Sequence, residues 1–448
     1  MKHLSVVQRF QLIGEYMKVV IVGGGAGGLE LATLLGNKLG RSEQHEIVLI
    51  DRNATHLWKP LLHEVAAGSL DAEIDSISYR AHAHAHNFRF KLGTFTDVNR
   101  DNKVIQLAPV LDAQKLEILP QREESYDHLV MAIGSSSNDF GVPGVREHCK
   151  FLDSTKQAVR FHDSLVNQFI NLNRRLIDDP AACLHVAIVG GGATGVELAA
   201  ELFNSRNLFS VYGLDRIQDD NLHVTILEAG PRLLPGLPEN VSGRVLTDLS
   251  ALGTDIKLNT QVAKAESNAF ITADGSRIEA DTLLWAAGIK VPEFMSEIEG
   301  IETNRINQVI VNKYLQTTND ECIYAIGDCA GSPLDEKRWV PPRAQSAHQM
   351  AMTVGKNLIR TSKNKPLIEF KYSDKGSLIS LSEFSTVGVL MGNIVRGDTF
   401  NVRGKFARLA YVSLYRMHQV ALHGWVKASL LIVADKINNV LRPRLKLH

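Results

Sequence analysis

Two glycine-rich segments have the residue types and spacing to bind the phosphates of a nucleotide. The segment from Gly23 to Gly28 reads GGGAGG, and the segment from Gly190 to Gly195 reads GGGATG. In a GxGxxG turn the first glycine allows the tight bend, the second lets backbone N–H groups approach a pyrophosphate, and the third lets the next helix pack on its strand. Each helix N-terminus then faces the phosphates. The positions concerned are Gly23, Gly25, Gly28, Gly190, Gly192 and Gly195.

The elements around each segment come in the order that such a turn requires, which is strand, turn, helix and strand. For the first copy the patterns are Lys18–Val22, Leu29–Leu39 and Glu46–Ile50, and for the second His185–Val189, Val196–Phe203 and Val224–Leu227. One GxGxxG is a weak signal, but two copies in this context are a strong one. The sequence therefore predicts an α/β fold with two Rossmann-like dinucleotide-binding domains.

An acidic residue follows the second strand of each copy. Asp51 lies 23 residues after Gly28, the usual distance for a carboxylate that binds a ribose hydroxyl. Glu228 lies 33 residues after Gly195, because the polar stretch Asn207–Asn221 is inserted before its strand. A carboxylate at this position accepts from a ribose 2′-OH and repels a 2′-phosphate, so we expect NADH to be preferred over NADPH.

Length and composition indicate a soluble protein of several domains. A chain of 448 residues predicts two or three domains, and 44% apolar with 22% charged residues argues against global disorder and against a polytopic membrane protein. Four cysteines lack CxxC spacing, which favours a reducing compartment and argues against a zinc knuckle. Residues 1–16 have no signal-peptide pattern and are interpreted as an N-terminal extension without an assigned role.

The C-terminal tail differs from the rest of the chain in charge. From Arg396 onward there are ten Lys or Arg and two acids, about +8, which leaves the remainder near −8. On a helical wheel from Gly404 to Ala428, the basic positions are Lys405, Arg408, Arg416, His423 and Lys427. The apolar positions opposite are Ala407, Ala410, Leu414, Met417, Ala421, Trp425 and Ala428.

This amphipathic pattern favours a helix that lies on an anionic membrane surface. No stretch of about 18 apolar residues predicts a membrane-spanning helix. The alternative is a helix packed on the protein body with its basic side toward solvent, since Leu409, Val412, Val420, Leu422 and Gly424 fit the stripes poorly. A nucleic-acid partner is not expected, because the stripe lacks a repeated basic and aromatic surface.

Several further segments carry a resemblance to a known family. The strand-like Leu129–Gly134 (LVMAIG) and the segment Cys322–Ala330 (CIYAIGDCA) resemble parts of flavoprotein reductases with two dinucleotide-binding domains. The segments HLWKPLL from His56, GATGVEL from Gly192, WAAG from Trp285 and PPRAQSAHQ from Pro341 are similar to type II NADH:quinone oxidoreductases of bacteria. So is the tail, with GSL from Gly376, SLYRMHQ from Ser413 and RPR from Arg442.

The resemblance implies bound FAD, NADH as substrate, and electron transfer to a membrane quinone without proton pumping. It places Asp328 at the ribityl chain or pyrophosphate of FAD, Glu197 near the nicotinamide and flavin, and Gln345 and Gln349 at the quinone. Glu197, in the first turn of its helix, is also simply favourable to the helix dipole, and the two glutamines also fit a surface helix. The remaining cofactor-binding residues that it implies are Lys59, Gly134, Ala344 and Gly288.

The implied domain organisation has a discontinuous FAD domain interrupted by the NADH domain. The boundaries are an extension at 1–16, an FAD domain at 17–150 and 300–370, an NADH domain at 151–299 and a membrane-association region at 371–448. We expect a peripheral protein on the cytoplasmic face of the bacterial inner membrane. A second copy of the chain, forming a homodimer, is among the predicted partners.

Other readings of the sequence stay open at this point. Sulfide:quinone oxidoreductases work through cysteines, and Cys322 and Cys329 here form no local redox pair. A soluble NADH-dependent reductase of an electron carrier would lack the basic tail, and an FAD- and NAD-binding sensor without turnover would show the same turns. His82, His84 and His86 alternate as metal ligands would on a strand, but a solvated strand or loop edge is favoured and no metal is expected.

Overall fold

The structure is a computed structural model that describes residues 16–41, 44–206, 213–336, 338–381, 385–391 and 399–441. Within these residues the chain forms two compact units. Unit 1 contains the chain up to His56 together with Ser76–Ser136 and Lys290–Ser373. Unit 2 contains Leu57–Asp75, Ser137–Ile289 and the chain from Asp374 onward.

The strands of the described residues are, in chain order, β1 Met17–Val22, β2 His45–Asp51, β3 Thr55–His56, β4 Ile77–Ser78, β5 Arg89–Leu92, β6 Phe95–Asn99, β7 Val104–Leu107, β8 Val110–Leu111, β9 Glu117–Leu119, β10 Arg122–Ser125, β11 His128–Met131, β12 Leu184–Val189, β13 Leu222–Leu227, β14 Thr254–Lys257, β15 Val262–Glu266, β16 Ala269–Thr272, β17 Arg277–Glu279, β18 Thr282–Trp285, β19 Val309–Ile310, β20 Ile323–Ala325, β21 Ala330–Gly331, β22 Gly376–Leu381, β23 Ser385–Met391 and β24 Thr399–Arg403.

The α-helices of the described residues are α1 Ala26–Lys38, α2 Leu62–Ala67, α3 Tyr79–Ala85, α4 Val145–His148, α5 Thr155–Arg175, α6 Ala193–Arg206, α7 Glu239–Ala251, α8 Ala344–Thr361 and α9 Gly404–Leu441. Short 3-10 turns occur at Lys59–Leu61, Asp219–Asn221, Glu293–Ser296 and Gly327–Cys329.

Unit 1 is built on a parallel five-stranded sheet in the order β20-β11-β1-β2-β5. The central strand β1 reads MKVVIV and is buried along nearly its whole length, as expected for a parallel strand covered on both faces. Helix α1 follows β1 and packs against α8, where Gly355 lies so close to Leu34 that a Cβ there would come within 2.5 Å of its side chain. This packing brings the amino ends of both helices to the same sheet.

Unit 2 repeats this arrangement with a parallel four-stranded sheet in the order β14-β13-β12-β18. Helix α6 follows β12, and one hydrophobic core joins this sheet to the long helix α5 and to the short helix α2. The antiparallel sheet β22-β23-β24 packs on α6 and α9 within the same unit. The predicted α/β class with two parallel sheets is therefore confirmed.

The compact units divide the chain differently from the predicted domain boundaries. Residues 57–75 lie in unit 2, although the prediction put them in the FAD domain, and the chain from Asp374 packs as part of unit 2. The predicted functional domains stay a prediction. The extension up to residue 15 and part of the insertion, residues 207–212, fall outside the described residues.

The C-terminal helix is not the single straight helix assumed for the wheel from Gly404 to Ala428. Gly424 has φ 75° and ψ 167°, a conformation that favours glycine and divides α9 into two helical segments. Leu422, which was placed on the polar side, is fully buried, whereas Met417 and Trp425 of the apolar side are exposed. The two stripes therefore do not continue across Gly424. In the described part of the chain, no helix has the length and apolarity needed to cross a membrane.

The interpretation of the alternating histidines as part of a strand or loop edge was wrong. Residues Tyr79–Ala85 form helix α3, and Ser78 caps it by accepting from Ala81 N. His82 is buried and its Nε2 lies 2.8 Å from Thr33 Oγ1, whereas His84 is exposed. The alternating alanines favour a helix as much as they allow a strand.

Candidate dinucleotide-binding sites

The first glycine-rich turn has the geometry that its spacing predicts. Gly23 has φ +103°, in the region that favours glycine, and its N–H donates to Ile50 O at 2.8 Å. A Cβ at Gly28 would come within 1.9 Å of Gly23 O, so only glycine lets α1 approach the strand this closely. A Cβ at Gly25, just before α1, would meet no atom within 4 Å. The turn therefore leaves room for a phosphate beside the helix N-terminus.

The acid at the end of β2 binds the main chain of this turn. Asp51 Oδ2 accepts from Gly24 N at 2.7 Å, and its Oδ1 accepts from Asn53 N at 2.7 Å. The carbonyl of Gly24 lies 2.7 Å from the donating Tyr79 hydroxyl and 2.8 Å from His56 Nδ1. Because Tyr79 and His56 are both buried, the turn is fixed by side chains from outside the motif.

A second part of unit 1 brings Asp328 to the carboxyl end of the same sheet. Asp328 follows β20 in a 3-10 turn, and its Oδ2 accepts from Ser135 Oγ at 2.7 Å. Gln308 Nε2 donates to Asp328 O at 2.8 Å, which holds the backbone of this turn. Gly134 follows β11 with φ +75°, and a Cβ on it would meet no atom within 4 Å. Asp328 and Gly134 thus lie after neighbouring parallel strands.

Helix α8 begins at Ala344 and carries both predicted glutamines. The side-chain amide of Gln349 pairs with the main chain of Ser373 twice, since its Nε2 donates to Ser373 O and its Oε1 accepts from Ser373 N, both at 2.9 Å. One residue earlier, His348 Nδ1 lies 2.5 Å from Glu30 Oε2, and Glu30 is only 2% exposed. Gln345 is half-buried in the first turn of the helix.

The second glycine-rich turn repeats the geometry of the first. Gly190 has φ +111°, a Cβ at Gly195 would come within 2.1 Å of Gly190 O, and a Cβ at Gly192 would meet no atom within 4 Å. Glu228 Oε2 accepts from Gly191 N at 2.6 Å and its Oε1 from Gly230 N at 2.7 Å. This carboxylate occupies the place in unit 2 that Asp51 occupies in unit 1.

Glu197 lies in the first turn of α6 and is buried. Its Oε1 accepts from Ser380 N at 3.1 Å, and its Oε2 lies 3.7 Å from His63 Nδ1. Burial lowers the pKa of His63 to about 4, against the smaller effect of a hydrogen bond with the Pro60 backbone, so the imidazole is neutral at physiological pH. Glu197 therefore sits in an enclosed site built from three segments of unit 2.

The structure places the two remaining predicted residues in unit 2. Gly288 follows β18 with φ +61°, and a Cβ on it would come within 2.4 Å of the Phe140 ring. Lys59 is exposed in the 3-10 turn before α2. Its predicted role at the cofactor stays a prediction.

The residues present fit two dinucleotides. Each unit has an open second glycine at a helix N-terminus, a third glycine that no other residue could replace without displacing backbone, and a carboxylate bound to the turn. Unit 1 adds Asp328 at the carboxyl end of its sheet, which is where ligands bind in open α/β sheets.

Comparisons with known proteins decide the family. The family model for pyridine nucleotide-disulphide oxidoreductases matches residues 17–351. A type II NADH:quinone oxidoreductase of Haemophilus influenzae is 50% identical over 444 residues, which cover 96% of this chain and 99% of that protein. The chain belongs to the type II NADH:quinone oxidoreductase family. The resemblance seen in the sequence is thereby confirmed.

More distant members of the type II NADH:quinone oxidoreductase family and other flavoproteins share the fold. The Staphylococcus aureus enzyme is 29% identical over 386 residues, 85% of this chain and 91% of that protein. The structure of Plasmodium falciparum NDH2 in complex with NADH covers 96% of this chain and 100% of its own, with a TM-score of 0.78 and 20% identity. The sulfide:quinone oxidoreductase of Aquifex aeolicus covers 95% of each chain, with a TM-score of 0.69 and 19% identity. At these two identities the likeness of structure shows the fold alone.

Two of the four cysteines, Cys149 and Cys329, lack the environment of a reactive thiolate. All four cysteines are free. Burial raises the pKa of Cys329 to about 11, and burial likewise raises the pKa of Cys149 to about 12, so both are protonated thiols near neutral pH. Neither is suited to act as a thiolate nucleophile.

Several side chains around the predicted site residues were not anticipated from the sequence. They are His63 and Ser380 at Glu197, Ser373 at Gln349, Ser135 at Asp328, and the pair of Glu30 and His348. One of these residues, Glu30, could have been found from the sequence. Glu30 lies two residues after Gly28, as Glu197 lies two residues after Gly195.

Proposed function

We propose that the protein oxidises NADH and reduces a membrane quinone through bound FAD, without pumping protons. The observation that carries this proposal is a family match along nearly the whole chain in which both glycine-rich turns keep their geometry. FAD, when bound, would accept a hydride from NADH and pass the two electrons to the quinone. The residues of the chain supply binding, orientation and electrostatics.

In unit 2, the second turn would hold NADH. The open position at Gly192 admits the pyrophosphate to the N-terminus of α6, where backbone N–H groups donate to it. Glu228, held by Gly191 and Gly230, presents its carboxylate to the adenine ribose and disfavours a 2′-phosphate there. Glu197 is proposed to face the nicotinamide and the flavin, and its bond from Ser380 N fixes the orientation of its carboxylate.

In unit 1, the first turn and the 3-10 turn at Asp328 would hold FAD. Gly25 admits the pyrophosphate to the N-terminus of α1, and Asp51 faces the adenine ribose. Asp328, oriented by Ser135, would accept a hydrogen bond from the ribityl chain or bind near the pyrophosphate. We propose further cofactor contacts from Gly134 and Ala344 in unit 1 and from Lys59 and Gly288 in unit 2.

Gln345 and Gln349 are proposed to border the quinone. Both the amide nitrogen and the amide oxygen of Gln349 already bind Ser373. We therefore expect Gln349 to hold the segment that leads to Asp374 as well. Substitution of either glutamine should slow reoxidation of the flavin by quinone and leave its reduction by NADH nearly intact.

The second segment of α9 is proposed to contact lipid at the cytoplasmic face of the bacterial inner membrane. Val426, Leu430, Val433 and Ile437 recur at helical spacing and are 76%, 65%, 54% and 53% exposed. An exposed apolar stripe of this kind, followed by the basic C-terminus, suits an anionic bilayer surface. The first segment is bound to unit 2, since the ring of His418 lies 4.1 Å from that of Trp58. A homodimer stays a prediction.

The redox function is tested by two half-reactions followed separately. NADH is added without oxygen to the purified protein, and loss of the flavin absorption reports reduction. A quinone is then added, and return of the absorption reports reoxidation. The proposal requires both steps. A protein that binds flavin and NADH but is not bleached would be a sensor, and one that is bleached but not reoxidised by quinone would serve another acceptor.

The lipid contact is tested by a substitution that leaves the packed part of α9 intact. Val426 and Leu430 are both changed to Ser, and flotation with anionic vesicles is compared with the parent protein. The matched control changes Ser429, which is also exposed in this segment, to Ala. We expect the double variant to lose flotation and to keep reduction by NADH. Flotation equal to that of the parent would contradict the membrane role.

A further inference from the structure

Three side chains that are not part of the proposed redox site meet at the amino end of the parallel sheet in unit 2. Cys183 directly precedes β12, His185 is the second residue of β12, and His223 is the second residue of β13. His185 and His223 are direct partners in the parallel pair of strands. Cys183 lies two residues before His185 and therefore on the same face. The chain thus gathers one thiol and two imidazoles at one sheet edge.

The distances between these groups are those of a nearly formed metal site. One ligand atom from each residue lies within 4.8 Å of the other two. Zinc binds Cys sulfur at about 2.3 Å and His nitrogen at about 2.0–2.1 Å, so tetrahedral ligands lie roughly 3.5 Å apart. Both histidine side chains are exposed, and rotations that move their ligand atoms by about 1 Å would bring the three ligand atoms to this tetrahedral spacing.

The backbone beneath the three ligands is fixed by hydrogen bonds on both sides. His185 N donates to Asp281 Oδ2 at 2.8 Å, and Asp281 N donates to His185 O at 2.9 Å. The buried Asn221 donates from Nδ2 to Ala182 O at 3.0 Å, which joins the starts of β12 and β13. The ligands therefore project from a preorganised frame, which reduces the entropic cost of binding an ion.

The chemistry of the donors selects a borderline-soft divalent cation. Thiolate and imidazole ligands suit Zn²⁺, whereas Mg²⁺ and Ca²⁺ prefer oxygen ligands. We propose that Cys183, His185 and His223 form a Zn²⁺ site with water as the fourth ligand.

The site is separate from the proposed NADH site in the same unit. Strand β12 runs from the metal end to Gly190, and its six residues span roughly 20 Å at about 3.3 Å per residue. A bound ion should therefore stabilise the sheet edge without contacting NADH. The competing interpretation is a pair of stacked, solvated histidines, since the two rings lie 4.7 Å apart at an angle of 30°.

The test uses Co²⁺ as a spectroscopic probe for Zn²⁺ in the full-length protein without an affinity tag. The protein is kept reduced with a phosphine, and Co²⁺ is titrated while the d–d absorption is followed at wavelengths beyond the flavin bands. We expect an intense band from tetrahedral Co²⁺ with a thiolate ligand, saturating at one equivalent and abolished by Zn²⁺. Absence of this band in the parent protein would overturn the proposal.

Variants assign the ligands. In known metal sites, even the loss of an outer-shell partner costs about 10–100-fold in affinity. Loss of a direct ligand should cost at least as much. Cys183→Ser, His185→Gln and His223→Gln should therefore each weaken Co²⁺ binding about tenfold or more. Cys322→Ser and His84→Gln change a half-buried cysteine and an exposed histidine elsewhere and should leave binding unchanged. Flavin content and reduction by NADH serve as folding controls for all five variants. Equal affinity in the parent and the three ligand variants would also overturn the proposal.

Discussion

The two glycine-rich turns share one fingerprint but differ in what holds them. In unit 1 the carbonyl of Gly24 lies in hydrogen-bond distance of two buried side chains, Tyr79 and His56, which come from later in the chain. In unit 2 the carbonyl of Gly191 accepts from the main-chain N–H of Leu234 at 2.8 Å, from the loop after Glu228. The first turn is thus held by buried side chains, and the second is held by a main-chain hydrogen bond.

The buried glutamates that follow the two turns differ in a related way. Glu30 binds His348, whose side chain is 31% exposed, whereas Glu197 lies beside His63, which is 3% exposed. The equivalent positions therefore carry a close pair with a partly exposed histidine in unit 1 and a more widely spaced pair with a buried histidine in unit 2. The enclosed pair is the more sensitive one to protonation, because a charged imidazole cannot be solvated there.

The largest expected effect comes from adding a methyl group at the third glycine of each turn. In Gly28→Ala the added Cβ would meet Gly23 O at 1.9 Å, and in Gly195→Ala it would meet Gly190 O at 2.1 Å. We expect the first variant to lose most of its FAD. We expect the second to keep FAD but to lose most of its reduction by NADH. The flavin-to-protein ratio and the rate of bleaching by NADH measure the two effects.

A control for this comparison is Gly243→Ala, since a Cβ at this helical glycine of unit 2 would meet no atom within 4 Å. It should keep both flavin and NADH reduction. If Gly195→Ala lost flavin as completely as Gly28→Ala does, the division of tasks between the two turns would be wrong.

The enclosed pair in unit 2 predicts a dependence of stability on pH. Because the pKa of His63 falls from 6.5 to about 4 on folding, the unfolded chain binds the proton more tightly. The contribution of the neutral His63 to the free energy of unfolding is fully present above pH 6.5 and is lost as the pH falls toward 4. Between about pH 7 and pH 5 the loss is about 2 kcal/mol. Thermal unfolding followed by circular dichroism should show this decrease.

His63→Asn keeps a polar side chain without the titration, so its unfolding should depend less on pH over this interval. The slope is the readout, since the variant can differ from the parent in absolute stability. His84→Asn changes an exposed histidine and should retain the slope of the parent. Identical slopes for His63→Asn and the parent would show that another group causes the decrease.

The next effect concerns the two carboxylates bound to the turns. Glu228→Gln removes the charge that opposes a 2′-phosphate, so the ratio of kcat/KM for NADH over NADPH should fall by about tenfold, or ~1.4 kcal/mol. Asp51→Asn makes the same change at the equivalent position of unit 1 and should leave this ratio unaltered. Steady-state rates with both nucleotides measure it. A ratio that responds to Asp51 and not to Glu228 would reverse the assignment of the two turns.

The parts of the molecule that could be predicted from the sequence are those encoded by neighbouring residues. Both turns and the acids after them lie within single β-α-β units, so local spacing sufficed. The contact of Glu197 with His63 joins residues 134 positions apart, and that of Gln349 with Ser373 joins helix α8 to a later segment. Such contacts depend on how segments pack, which no local pattern specifies.

Two structural expectations were wrong because a periodic pattern was interpreted without the residues that begin or interrupt a helix. The alternation of His82, His84 and His86 fits a strand, but Ser78 in front of the alanines was an N-cap signal for helix α3. The wheel across Gly424 assumed a straight helix, although glycine in a helix interior is a known site of interruption. Ser78 was not used at all, and Gly424 was noted as a poor fit to the stripes but not as an interruption of the helix.

The smallest expected effect tests the idea that side chains hold the first turn. Tyr79→Phe removes the hydroxyl that donates to Gly24 O at 2.7 Å and keeps the stacking on Phe90 at a centroid distance of 5.0 Å. One hydrogen bond contributes about 1 kcal/mol, and His56 still lies at the same carbonyl, so the dissociation constant for FAD should rise about fivefold. Tyr126→Phe is the matched control, because Tyr126 is also buried in unit 1 and its hydroxyl has no hydrogen-bond partner among the described residues. Flavin fluorescence on dilution measures both constants. If the two variants bound FAD equally well, the carbonyl of Gly24 would not need the Tyr79 hydroxyl, and the contrast between a turn held by side chains and a turn held by the main chain would disappear.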